Sequence, residues 1–242
     1  MGKTHVPIIL GKPSEQRQLG FGSLAYNRAA MAASPIHGLY VIIDPDACAD
    51  RDSIVVARLA LEGGASLLQW RDKRRDKGDQ IDQAQALREL CAEHKALFIV
   101  NDHVDLALAV RADGVHLGQH DLPIEAVRPL VPPEFIIGVS TNNAEEARHA
   151  QAGGASYIAV GSIFPTGSKE TTRPASPERL REVKAAVDLP VVAIGGIDAS
   201  NVDLALAAGA DAVAVIRAVC AAGDVRAAAV KLTSRFGLAT TS

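Results

Sequence analysis

Four times this chain repeats one local pattern, a helical stretch that ends at a glycine-containing break and runs directly into a short apolar segment. The breaks are Glu62-Gly63-Gly64-Ala65-Ser66, Arg111-Ala112-Asp113-Gly114, Ala152-Gly153-Gly154-Ala155-Ser156 and Ala208-Gly209-Ala210-Asp211. Glycine just past a helix takes the left-handed turn that stops it. The runs that follow, Leu67 to Trp70, Val115 to Leu117, Tyr157 to Val160 and Ala212 to Ile216, are largely apolar and predict strands buried on both faces. Between them fall Leu97 to Val100, Phe135 to Val139 and Val191 to Ile194, preceded by Leu39 to Ile43, which makes eight strands in all. The breaks recur at roughly 40–55 residues, about the length of two βα units.

Helical patterns fill the gaps. Asp79 to His94 sets Ile81, Ala84, Leu87 and Leu90 at three- and four-residue intervals, while Ser176-Pro177-Glu178 supplies a cap and a first-turn proline before Leu180, Val183 and Val187. Ser200-Asn201 before Val202 reads as another cap. Strand and helix in strict alternation give a parallel α/β sheet with right-handed crossovers, and eight units close it into a (β/α)8 TIM barrel. An open dinucleotide-binding sheet would open a helix with Gly-x-Gly-x-x-Gly, and the chain has no such start. The expected organisation is a single catalytic barrel over residues 37–236, an N-terminal extension 1–36 outside it, and a tail 237–242.

Of the 242 residues 48% are hydrophobic and only 4% aromatic, so the core is built from aliphatic side chains. A net charge of −3 offers no general attraction for nucleic acid or an anionic membrane, and no segment has the length of a membrane span. Anion binding must be local. Cys48, Cys91 and Cys220 are odd in number and lack paired or metal-ligand spacing, which fits reduced thiols in the cytoplasm. The extension carries scattered Lys3, Lys12, Arg17 and Arg28. Its one apolar run, Val6 to Leu10, is too short for a signal-peptide core, and Val6 stands where myristoylation wants Ser or Thr. A transit peptide, or a true start at Met31, stays open.

Catalytic groups of such barrels lie at the C-terminal strand ends. Ser66 to Lys73 turns an apolar strand into a polar tip: Gln69 and Arg71 share one face by the period of two, and Lys73 reaches the same region from the loop. Asn101-Asp102, Asp121, Ser140, Lys169 and Gly195-Gly196 end later strands in the same manner. Asp102 and Asp121 follow strands three and four. Each alone reads as a helix cap, but facing Arg71, Lys73 and Lys169 they make a place where a metal and cations share a polyphosphate. Gly195-Gly196-Ile197, with Ile216 and Arg217 opening the last helix, suit a phosphate, although a lone Gly-Gly is also an ordinary tight turn. Gly161 to Arg173 is a long βα connection whose Thr166, Ser168 and Lys169 suit a mobile lid over the reacting phosphate. His116 lies within strand four and reads as a hydrogen-bonded structural residue. No histidines have zinc spacing, and no P-loop or serine-nucleophile elbow is present.

In order and type, Gln69-Trp70-Arg71-Asp72-Lys73, Asn101-Asp102-His103, Gly114-Val115-His116-Leu117-Gly118-Gln119 with Asp121, Gly138-Val139-Ser140, Pro165-Thr166-Gly167-Ser168-Lys169 and Gly195-Gly196-Ile197 resemble the thiamine phosphate synthase family. The likeness spans residues 37 to 236. It implies a Mg²⁺-dependent transfer joining the hydroxymethylpyrimidine diphosphate to the thiazole phosphate, with Arg71, Lys73 and Lys169 as the catalytic cations. By the same resemblance Gln69, Trp70, Arg71, Asp72, Lys73 and Asn101 hold the pyrimidine diphosphate, Asp102 and Asp121 the magnesium, and Ser140 the pyrimidine or product. Lys169 would hold diphosphate, and Thr166, Gly167, Ser168, Gly196, Ile216 and Arg217 the thiazole phosphate. Two residues depart from the family pattern, Ser168 where threonine is usual and Arg217 where serine is common. The rivals are a thiazole tautomerase-like isomerase on the same barrel and a non-catalytic thiamine-pathway binding barrel. Retention of Arg71, Lys73, Asp102, Asp121 and Lys169 together weighs against both. Oligomeric state is not legible in the chain.

Overall fold

The computed structural model describes residues 36–165 and 175–237. Residues 1–35 of the extension, the end of the tail at 238–242, and Thr166, Gly167, Ser168 and Lys169 lie outside the described residues. Eight parallel strands form a closed barrel, each paired with the next and the last with the first: β1 (Gly38–Ile43), β2 (Leu67–Trp70), β3 (Leu97–Asn101), β4 (Gly114–Leu117), β5 (Ile136–Thr141), β6 (Tyr157–Val160), β7 (Val191–Ile194) and β8 (Ala212–Val215). Around it run α1 (Ser53–Glu62), α2 (Ile81–Glu93), α3 (Val104–Ala109), α4 (Ile124–Val127), α5 (Ala144–Ala152), α6 (Pro177–Lys184), α7 (Val202–Ala207), α8 (Arg217–Cys220) and α9 (Val225–Thr233).

The period of two divides the core into two layers. Outward-facing Leu39, Val41, Leu68, Trp70, Phe98 and Val100 pack beneath the helices, while inward-facing Tyr40, Ile42, Leu67, Ile99, Tyr157 and Ala159 fill the lumen. Each buried aliphatic of this kind contributes roughly 1.5–3 kcal/mol of transfer free energy. The lumen is not wholly apolar. Gln69 and His116 also point inward and are buried, and a narrow cavity at the strand ends is lined by Gln69, Arg71, Asn101 and His116.

Local signals hold with small shifts. Ile81 of α2 is half-buried and Ala84, Leu87, Leu90 and Cys91 are buried, as the spacing required. Ser176 caps α6 by accepting from the Arg179 N–H, with Pro177 in the first turn. Asn201 occupies the cap position of α7 without capping it: its amide donates to the Gly196 carbonyl and its oxygen accepts from the Asp198 N–H. The side chain therefore ties down the turn after β7 instead of the helix. Ile216 was expected to end the last strand, but with φ −114° and ψ −86° it leaves the extended region and turns the chain into α8. Ile36, expected in the extension, is 2% exposed and packs with the lumen cluster, so the barrel's core begins before residue 37.

Cys48, Cys91 and Cys220 are free and buried. Despite their separation in sequence, Cys48 and Cys220 interact, Cys220 holding the Cys48 thiol below the usual cysteine range, an adjacency that spacing along the chain could not reveal. Among the described residues no helix is long and apolar enough to cross a membrane.

Candidate active site

Four successive strand ends supply the site's charges. The ladder between β1 and β2 continues one step past the strand, the Arg71 N–H donating to the Ile43 carbonyl at 3.0 Å, which fixes Arg71 at the rim. Its guanidinium Nη1 is paired with the carboxylate of Asp44, directly after β1, and the two side chains are 13% and 10% exposed. Lys73, in the loop beyond, lies 3.4 Å from Asp102 Oδ2.

Asp102 follows β3 in a left-handed conformation, φ 61°, with its N–H held by the His116 carbonyl at 2.8 Å. Asp121 is held at the end of β4 by the Gly118 N–H, which donates to Oδ2 at 2.7 Å. The two carboxyls act on each other electrostatically. Burial first, and Asp121 second, raise the Asp102 carboxyl above the ordinary aspartate value, and Lys73 offsets only part of this. Neither aspartate is a helix cap. His103 and Pro123 hold the cap positions of α3 and α4. The helix-capping alternative thus fails for both.

Gln69, Arg71 and Asn101 share the lumen cavity as the strand period required. Trp70 does not join them. It faces outward from β2, is 1% exposed, donates its indole N–H to Gln80 Oε1 at 2.9 Å and lies under the Arg75 guanidinium. Asp72 is likewise turned from the lumen: it accepts from the backbone N–H of Arg74 and Arg75 and from Arg75 Nε. Burial alone would raise its pKa, but these donors hold it below the usual value. Both residues shape the loop that carries Arg71 and Lys73. The alternation of side chains already put Trp70 on the opposite face from Gln69 and Arg71.

Ser140 lies on β5, its Oγ 2.9 Å from His116 Nε2. The glycines after β7 are required by close approach of the chain after β6. Gly196 has φ 65°, and a Cβ there would stand 2.6 Å from the Pro165 carbonyl oxygen; one on Gly195 would stand 2.2 Å from Ser162 Oγ. The Phe164 N–H donates to the Gly195 carbonyl at 3.0 Å, so this turn and the start of the Gly161 loop form one unit. Ile216 and Arg217 begin α8 beside it in the barrel order, with Arg217 exposed.

Three lumen or rim residues escaped the sequence argument: Asp44, Tyr40 and Tyr157. The tyrosines stand in otherwise aliphatic strands, and a buried phenol needs a polar partner; that was the available signal. Asp44 left none, because an aspartate before Pro45 reads as a turn. Among the described residues no group of three or more His, Cys, Asp or Glu side chains could enclose a metal.

A closed parallel barrel that gathers a carboxylate pair, an ammonium and a guanidinium at adjacent strand ends belongs to the (β/α)8 enzymes that handle phosphorylated substrates. Residues 39–219 match the family described as thiamine monophosphate synthase. The thiamine-phosphate synthase of Methanospirillum hungatei is 49% identical over 195 residues, covering 80% of this chain and 95% of that protein. That of Methanoculleus marisnigri is 48% identical over 204 residues, covering 84% and 97%. Among solved structures, a thiamine phosphate pyrophosphorylase from Pyrococcus furiosus superposes with a TM-score of 0.78 at 42% identity, covering 84% of this chain and 97% of that one. The chain belongs to the thiamine-phosphate synthase family.

Proposed function

We propose that this barrel joins 4-amino-2-methyl-5-hydroxymethylpyrimidine diphosphate to 4-methyl-5-(2-hydroxyethyl)thiazole phosphate, giving thiamine phosphate and diphosphate. The observation that carries this reading is the convergence of Arg71, Lys73, Asp102 and Asp121 on one rim, in a chain that matches the family over nearly the whole barrel. The bond from the pyrimidine methylene to the diphosphate oxygen breaks, and its electron pair leaves with the diphosphate. The thiazole nitrogen lone pair then forms the new C–N bond. No proton has to move, so the protein needs no strong base, and its work is alignment and charge stabilisation.

Arg71 and Lys73 bind the departing diphosphate, with Lys169 as a third cation from the Gly161 loop. Gln69 and Asn101 orient the pyrimidine diphosphate, and Ser140 the pyrimidine ring. Thr166, Gly167, Ser168, Gly196, Ile216 and Arg217 receive the thiazole phosphate. Asp102 and Asp121 fit Mg²⁺: they are two interacting carboxylates at adjacent strand ends, and Mg²⁺ takes one or two from a protein while phosphate oxygens and water complete its octahedron. When bound, the ion supplies positive charge to the leaving diphosphate. Free thiols and soluble phosphorylated substrates support a cytoplasmic location.

Purified protein given both substrates should release thiamine phosphate and diphosphate in equal amounts, and only with Mg²⁺. Omitting either substrate should abolish both products. Full turnover in excess chelator would remove the metal assignment, and diphosphate release without the thiazole phosphate would point to hydrolysis instead of transfer.

A further inference from the structure

A single file of hydrogen bonds runs through the floor of the site. Gln69 Nε2 donates to Tyr40 Oη at 2.7 Å, Tyr40 Oη is 3.1 Å from Tyr157 Oη, Tyr157 Oη is 3.0 Å from His116 Nδ1, and His116 Nε2 is 2.9 Å from Ser140 Oγ. The file draws one residue from each of five strands, and its two phenols are buried. An amide nitrogen can only donate, and a buried hydroxyl proton needs an acceptor, so with Gln69 donating at one end, one order of protons gives each phenol an acceptor within the file. Tyr40 accepts from Gln69 and gives its proton to Tyr157; Tyr157 gives its own to His116 Nδ1. Neutral His116 then carries its proton on Nε2 and donates it to Ser140.

The consequence falls on Ser140. With one lone pair taken by the histidine, its O–H is left as a donor, and a pyrimidine ring nitrogen is an acceptor. We propose that Tyr157 is a positioning residue for the transfer, acting through His116 to hold the Ser140 hydroxyl as a donor to the pyrimidine ring; this rests on the function proposed above. Burial raises both phenols far above the ordinary tyrosine value, so each keeps the proton that the order requires. The ring of Tyr157 also occupies a space left for it. Gly138 on β5 lies against it, and a Cβ there would come within 2.0 Å of Cζ. Stacking of the Tyr157 and His116 rings, with centroids 5.7 Å apart and planes at 24°, holds the imidazole beside the phenol.

Two measurements test the role. Nitrogen-15 spectra of the His116 ring should report the Nε2–H tautomer in the wild-type protein and its loss in Tyr157→Phe. In steady-state assays, Tyr157→Phe should lower kcat roughly tenfold with the KM for the thiazole phosphate unchanged. The double variant Tyr157→Phe/Ser140→Ala should be no slower than Ser140→Ala alone, since a residue acting through Ser140 has nothing left to act on. A merely structural tyrosine would instead give losses that multiply. Wild-type protein that makes no thiamine phosphate would overturn the proposed function itself. An active wild type whose losses multiply, or whose His116 is protonated on Nδ1, would overturn only the positioning role.

Discussion

Asp44 and Arg71, at the ends of adjacent strands β1 and β2, form a nearly buried ion pair at the mouth of the barrel. Asp44 Oδ1 also accepts from the Asp46 N–H at 3.0 Å, so the carboxylate that faces Arg71 is itself held. Arg71 presents five N–H donors in a rigid fork, and fixing one edge on Asp44 sets the direction of the others. Asp44→Asn should therefore lower kcat/KM for the pyrimidine diphosphate by about ten- to a hundredfold, the scale expected when a binding group is misaligned. Arg71→Lys, which keeps the charge and loses the fork, should fall in the same range. Initial rates at saturating thiazole phosphate measure both, and an undisturbed Asp44→Asn would mean that Arg71 finds its place without it.

Arg217 opens α8 and is exposed. An exposed charge near a bound phosphate contributes at most about 1 kcal/mol, or roughly fivefold in affinity. Arg217→Ser should accordingly raise the KM for the thiazole phosphate by no more than that factor and leave kcat alone. The effect should shrink as salt is added, because the contribution is screened. A KM that does not move at low salt would exclude Arg217 from the phosphate site.

What was legible in the chain followed from periodicity. The breaks before the even strands end helices at left-handed Gly64, Gly154 and Gly209, and at Arg111 where Gly114 already belongs to β4, while the short buried apolar runs make the strands. The same period of two brings Gln69 and Arg71 to the lumen and turns Trp70 outward onto Gln80. Motifs placed Asp102 and Asp121 without revealing that Asp121 raises the Asp102 carboxyl, since their placement depends on the left-handed turn at Asp102 and on the Gly118 N–H. Tyr40 and Tyr157 were marked only as phenols in aliphatic strands, and Asp44 not at all, and in no case was the partner legible. Their partners are supplied by other strands, and local sequence does not say which strand a side chain will meet.

Gly138 gives a steric test of the lumen. An added Cβ would meet Tyr157 Cζ at 2.0 Å and Oη at 2.3 Å, and the ring has no room to retreat because it is wholly buried. Gly138→Ala should cost about 1–3 kcal/mol of stability, the usual range for overpacking a close-packed core. Denaturant unfolding measures it. Gly78→Ala is the control, since nothing lies within 4 Å of a Cβ at that position. Equal midpoints for the two variants would mean that the packing around Tyr157 yields more readily than its burial implies.

The carboxyl pair makes stability depend on pH and on metal together. Burial and then Asp121 raise Asp102 above its unfolded value of about 3.9, so in this window the folded chain holds a proton that the unfolded chain has lost. Its contribution is complete below the unfolded value and is lost as pH rises through the folded one. In chelator, the melting temperature should fall over this interval as pH increases, after allowance for the other groups by comparison with Asp102→Asn. Asp121→Asn removes the neighbouring charge and should flatten the slope. Saturating Mg²⁺ competes with the proton for the same oxygens, so its stabilising effect should grow as pH rises. Thermal melts from about pH 4 to about pH 7, with and without Mg²⁺, measure these trends. A metal effect equally large in Asp102→Asn/Asp121→Asn would place the ion elsewhere.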